Sequence, residues 1–149
     1  MIETIKLGDK ILSVIIRAEY KKEGIEFFTP GDFSQQLGYM NRAKGYAIPP
    51  HRHNLIERKV TLTQEVLYIK SGKVRVDFYD DNQHYLESRI VVKGDVILLA
   101  SGGHGFEMLE DSEMIEVKQG PYCGEEDKVR FEATDREKII LQDGKNGSI

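Results

Sequence analysis

Short runs rich in Val, Ile, Leu, Tyr and Phe recur along the chain at residues 10–18, 38–49, 65–69, 73–79, 88–92, 95–100, 105–109 and 113–119, separated by turns that carry glycine or acidic residues. Runs of this length predict β-strands, and their close spacing predicts an all-β sandwich or barrel rather than alternating strands and helices. The turns are explicit: Ser71-Gly72 leads into Lys73, Asp80-Asp81-Asn82 separates two runs, and Lys93-Gly94-Asp95 precedes another. Two places have helical character. Thr29 is a candidate cap with Pro30 suited to the first helical position of 29–37, and a second charged stretch runs from 125 toward 142. The end of the chain is expected to loosen from about residue 133, and Asp143-Gly144-Lys145-Asn146-Gly147 is expected to be disordered.

Length changes this picture little. The 149 residues suit one domain, with a core expected over about 10–120. The net charge is -4, and no cluster of Lys and Arg interleaves with aromatics, so a nucleic-acid partner is not expected. No basic leader with an apolar core and no membrane-length apolar run occurs, and the expectation is a soluble, cytoplasmic protein without a membrane partner. Cys123 is the single cysteine, which excludes an internal disulfide framework. It has no histidine near it in sequence and is a weak nucleophile candidate. The apolar run Ile11-Leu12-Ser13-Val14-Ile15-Ile16 reads as an ordinary strand or as an edge that needs covering, for which a second copy of the chain is one means.

The candidate chemistry lies where polar residues interrupt these apolar faces. In an extended segment His51 and His53 point the same way and can share one ion. Glu65 shares a strand face with Leu67 and Ile69, a carboxylate at the mouth of an apolar surface that needs a partner to stay ionised. His104, after Gly102-Gly103, shares a face with Phe106 and Met108. Three imidazoles and one carboxylate suit one divalent Fe, Mn, Ni, Zn or Cu ion, and the donor atoms alone do not choose among them. Glu57 competes with Glu65 as the carboxylate ligand, although it stands in the loop-like stretch Glu57-Arg58-Lys59. His84 reads as a solvated turn residue.

These residues resemble the motifs of the cupins, small double-stranded β-helix or jelly-roll barrels. Gly45, His51, His53, Glu65 and Gly72 match the first cupin motif, with an insertion of residues 54–64 where the family has a short spacer. Gly94, Gly102 and His104 match the second, with Ala100 in place of a proline and Met108 in place of an asparagine. The resemblance implies a single cupin barrel with short helical segments, a metal held by His51, His53, Glu65 and His104, and a homodimer. The insertion is expected to lie over the barrel mouth as a lid or selectivity loop.

Leu67, Ile69, Val96, Leu98, Phe106 and Met108 are expected in the barrel core, with a small apolar pocket beside the metal as the alternative. Tyr122, Tyr46 and Glu116 are candidate proton-transfer groups. Glu116 and Lys118 are expected to face solvent, or to become site groups if register turns them inward. The segment Gln119-Gly120-Pro121-Tyr122 and the following Asp127-Lys128-Val129-Arg130-Phe131 resemble uncharacterised bacterial cupins of surface-polysaccharide and nucleotide-sugar pathways. That likeness implies a metal-dependent isomerase or epimerase acting on a small polar ligand such as a sugar or sugar nucleotide. An Fe(II) dioxygenase and a non-catalytic sugar-binding protein are the alternatives.

Overall fold

Ten strands account for the regular structure of residues 1–142, which the computed structural model describes; the expected disordered stretch 143–147 lies outside them. They are β1 (Ile2–Leu7), β2 (Lys10–Ile16), β3 (Gly24–Phe27), β4 (Gly38–Asn41), β5 (Glu65–Ser71), β6 (Lys73–Tyr79), β7 (Tyr85–Val92), β8 (Val96–Leu99), β9 (Gly103–Met108) and β10 (Glu113–Lys118). The chain divides into two compact units, one of Met1–Tyr20 with the residues from Thr63 onward, the other of Lys21–Leu62.

In the first unit the strands form a five-stranded sheet, in the order β1-β2-β8-β5-β10, and a three-stranded sheet, β7-β6-β9. Every pairing is antiparallel, and no sheet closes into a barrel among the described residues. The fold is thus all-β and antiparallel, as the strand spacing predicts. Alternation puts Ile15 of β2, Leu67 and Ile69 of β5, and Ile97 and Leu99 of β8 on one face of the larger sheet. They join Val74, Val76 and Phe78 of β6 and Val91 of β7 in one buried cluster, so the two sheets meet face to face. Ser71-Gly72 carries the chain from one sheet to the other, with Gly72 in the left-handed region at φ 85°.

Register and strand order decide two readings. Val96 and Leu98 pair with Tyr68 and Val66 and point away from this cluster, which Ile97 and Leu99 fill; Leu98 is nonetheless fully buried, on the opposite face of the sheet. A single-residue offset in a strand exchanges its faces, and periodicity within β8 alone does not say which face is which. The run Ile11–Ile16 lies in β2, an interior strand between β1 and β8, so it is not an edge; β1 and β10 are the edges of the larger sheet.

The β1 and β7 side of the first unit is closed by charge. Arg17 donates from Nε to Glu3 at 2.6 Å and from Nη1 to Asp95 at 2.7 Å and to the Ile90 carbonyl at 2.7 Å. Arg89 of β7 pairs with Glu87 at 2.8 Å and approaches Glu3 at 3.5 Å. On the outer face of the smaller sheet, Asp77 accepts two bonds from Arg75 and one from Ser88. Within the stretch expected to loosen from residue 133, Ile140 and Gln142 bond to β7 through Ser88 and Tyr85.

In the second unit β3 and β4 form a two-stranded antiparallel sheet. Residues 29–37 are not helical: Thr29 Oγ1 accepts from the Leu37 amide at 3.1 Å, and Gln36 Nε2 donates to the Pro30 and Phe33 carbonyls. Side chains therefore satisfy backbone groups that an α-helix would pair with its own main chain. In the other helical candidate only two short 3₁₀ turns form, Gly124–Asp127 and Arg136–Lys138. Of the expected strand over 38–49, only Gly38–Asn41 is a strand. Pro49 and Pro50 have no amide to give a ladder.

Candidate functional site

Glu65 opens β5 on the face that carries Leu67 and Ile69, both buried, so the carboxylate stands at the end of the apolar interior. His104 stands on β9 opposite Phe78, another core residue, and thus also points between the sheets. The two side chains meet there, His104 Nε2 lying 3.2 Å from Glu65 Oε2. Lys118, the cross-strand partner of Glu65 on β10, brings Nζ to 3.9 Å from its other oxygen and to 3.7 Å from Glu116. Glu65 is 16% exposed and His104 29%, so solute can reach the pair while its surroundings remain drier than bulk water.

The hydrogen bond with His104 holds the Glu65 carboxyl below the usual carboxylate range; burial opposes this, and the charges of His104, Lys118 and Lys128 reinforce it. A carboxyl with a folded pKa below its unfolded one contributes stability present above the unfolded value, about 4.3, and lost as pH falls through the folded value. Glu65→Gln is therefore expected to be less stable than wild type at neutral pH, with the two melting curves converging as pH drops below about 4. Parallel curves down to acid would show that His104 does not favour the ionised form.

Register turns Glu116 and Lys118 to the inward alternative, although the Glu116 side chain stays 48% exposed. Glu116 pairs with Leu67 and Met114 with Ile69, so Met114, Glu116 and Lys118 share the core-facing side of β10. Ile115 and Val117, apolar and 53% and 59% exposed, take the outer side. On β9, Phe106 and Met108 face inward opposite Val76 and Val74, yet are 37% and 47% exposed. Neither is enclosed core; the Phe106 ring lies beside that of His104, centroids 5.5 Å apart, and Met108 stands two residues further along the strand.

His51 and His53 belong to the second unit and to no strand; their rings pack edge to face with centroids 5.5 Å apart, and His51 Nδ1 is 2.9 Å from the Pro49 carbonyl. Glu57, in the same unit, is exposed and outside any strand. Tyr46 packs under the Arg42 guanidinium at 4.6 Å, and Tyr122 is 83% exposed. His84 is a turn residue bound to Asp80 and largely exposed, as expected. Cys123 is exposed. Among the described residues, no group of three or more His, Cys, Asp or Glu is placed to hold a metal ion, and no helix is long and apolar enough to cross a membrane.

Lys118 is the member of this site that sequence reasoning set aside. Its signal was the alternation Met114, Glu116, Lys118, which becomes decisive once Met114 is known to touch the core. Comparison of the chain with protein-family models, with curated proteins and with solved structures finds no match. An imidazole bonded to a carboxylate at an accessible, half-dry position can exchange a proton with a bound molecule or supply two donors to a metal.

Proposed function

We propose that the protein is a cupin-type domain that binds one divalent metal through His51, His53, Glu65 and His104 and acts on a small polar molecule, with isomerase or epimerase chemistry. The observation that carries this reading is the meeting of Glu65 and His104, brought from different sheets to 3.2 Å in an accessible cleft. Two antiparallel sheets around one core support a jelly-roll architecture. The four-donor set rests on sequence spacing, to which the structure adds support for the Glu65 and His104 half. A divalent ion held there would polarise a carbonyl or hydroxyl of the substrate. The chain's own residues do the rest: Glu65, kept ionised, accepts a hydrogen bond from a hydroxyl, Lys118 offers its ammonium to developing negative charge, and the Phe106 ring lies beside the His104 imidazole.

A second reading, metal-free acid and base work by the Glu65–His104 pair with Lys118, is favoured by the direct contact of the carboxylate with the imidazole at 3.2 Å and with the ammonium at 3.9 Å. Metal content of tag-free protein separates the two. About one ion per chain, lost in His51→Ala and in Glu65→Ala, is the expected result. Wild-type protein that takes up none of Fe, Mn, Ni, Zn or Cu would remove the metal reading and leave the dyad. Oxygen uptake by an Fe(II)-loaded sample that depends on an added candidate substrate would redirect the proposal from isomerisation to oxygen chemistry.

A further inference from the structure

Strand β9 has a second face. While His104, Phe106 and Met108 point between the sheets, Gly103 and Gly105 leave the opposite side bare, next to Tyr79. Residues 128–133 cross this patch and leave a cavity of about 450 Å³, the size of a pocket for a small organic molecule, whose lining also takes in His104. Its wall is fixed: Phe131 packs edge to face on Tyr79 with centroids 5.0 Å apart, and the Tyr79 hydroxyl accepts the Thr134 amide at 3.1 Å. Gly103 permits the close approach, since a Cβ there would come within 2.9 Å of the Phe131 ring. Gly105 instead keeps a floor open, because a Cβ there would meet only a Tyr79 ring carbon at 4.0 Å.

The charge of the lining identifies the ligand. Lys128 and Arg130 line the cavity, and no acidic side chain does among the described residues, in a chain whose net charge is -4. Lys128 makes no ion pair among the described residues. Arg130 pairs with Glu125, but both are mostly exposed, and an exposed pair yields readily to a better anion. One ammonium and one guanidinium beside an aromatic wall suit a dianion attached to a ring. We infer that this cavity is a binding site for a small ring compound carrying a phosphate monoester, with Lys128 and Arg130 holding the phosphate and the ring lying against Phe131 over the Gly105 floor. His104 lines this cavity and also bonds Glu65, so the two sites adjoin, but the contacts to the anion need no metal.

Titration of the full chain with phenyl phosphate and with inorganic phosphate, followed at the Gly103 and Gly105 amides by NMR, tests this. Phenyl phosphate is expected to shift both amides and to bind more tightly than inorganic phosphate. Lys128→Gln and Arg130→Gln should each weaken it about tenfold, the loss of one charged hydrogen bond. Gly105→Val, which fills the floor, should abolish it. Lys70→Gln, which removes an exposed lysine paired with Glu113 and outside the lining, should retain binding. Unmoved glycine amides, or binding that all three cavity variants leave intact, would overturn the assignment. So would an equal loss in Lys70→Gln, which would mean that the anion responds to net charge alone. Failure to find a bound metal would leave this site standing.

Discussion

Asp95→Ala is expected to lower the unfolding free energy by about 3–5 kcal/mol, the usual cost of removing one partner from a buried ion pair. Asp95 is 1% exposed and its carboxylate serves three donors: Arg17 Nη1 at 2.7 Å, the Ala18 amide at 2.8 Å and the Val92 amide at 3.1 Å. Alanine would leave both amides without that acceptor and strip the Arg17 charge, itself little exposed, of one of its two carboxylates. The same residue begins the turn into β8, so the loss reaches the strand lying between β2 and β5. Urea denaturation of wild type, Asp95→Ala and Asp95→Asn measures it, with asparagine keeping the shape and removing the charge. A cost for alanine below about 1 kcal/mol would mean that the network contributes no more than an exposed surface pair.

Much of this architecture is legible in the chain because its signal is local. β6 has the expected bounds, and β2, β5, β8, β9 and β10 fall within a few residues of the apolar runs that predicted them. β1 escapes the sequence pattern because the two isoleucines of Ile2-Glu3-Thr4-Ile5-Lys6 stand three apart and show no strand period; Glu3 there is held by Arg17 and Arg89. β3 is short and lies among charged residues, so it carries too few apolar positions to stand out.

The site shows the same division. That Glu65 shares a face with Leu67 and Ile69, and His104 with Phe106 and Met108, follows from alternation alone. That Glu65 meets His104 depends on how two sheets are stacked, and the cupin likeness, rather than any local pattern, paired them. Which way Glu116 and Lys118 point depends on the register of β10 against β5, set by contacts between residues far apart in sequence. The cavity beside Gly105 depends on where residues 128–133 cross, which nothing in their own composition announces.

The relation between the sheets places a heavy demand on Gly72. It turns the chain out of β5 and into β6, the strand that pairs with β9, and so links the strand bearing Glu65 to the partner of the strand bearing His104. Its φ of 85° disfavours a side chain, and a Cβ there would collide with the Asp111 carbonyl and with Ser112, which lie on the loop joining β9 to β10. A backbone carbonyl cannot swing aside as a flexible side chain would, so the loop itself must shift. Gly72→Ala is expected to cost more than about 3 kcal/mol and to loosen the Glu65–His104 contact, raising the Glu65 pKa toward the ordinary carboxylate value. Gly8→Ala supplies the control. Gly8 also has positive φ, 58°, but nothing lies within 4 Å of a Cβ there, so only the backbone cost of about 1 kcal/mol applies. Chemical denaturation of both variants, with NMR titration of Glu65, reads the difference. Equal losses would show that the turn tolerates the collision, and that the placement of Glu65 beside His104 is set by the packed core alone.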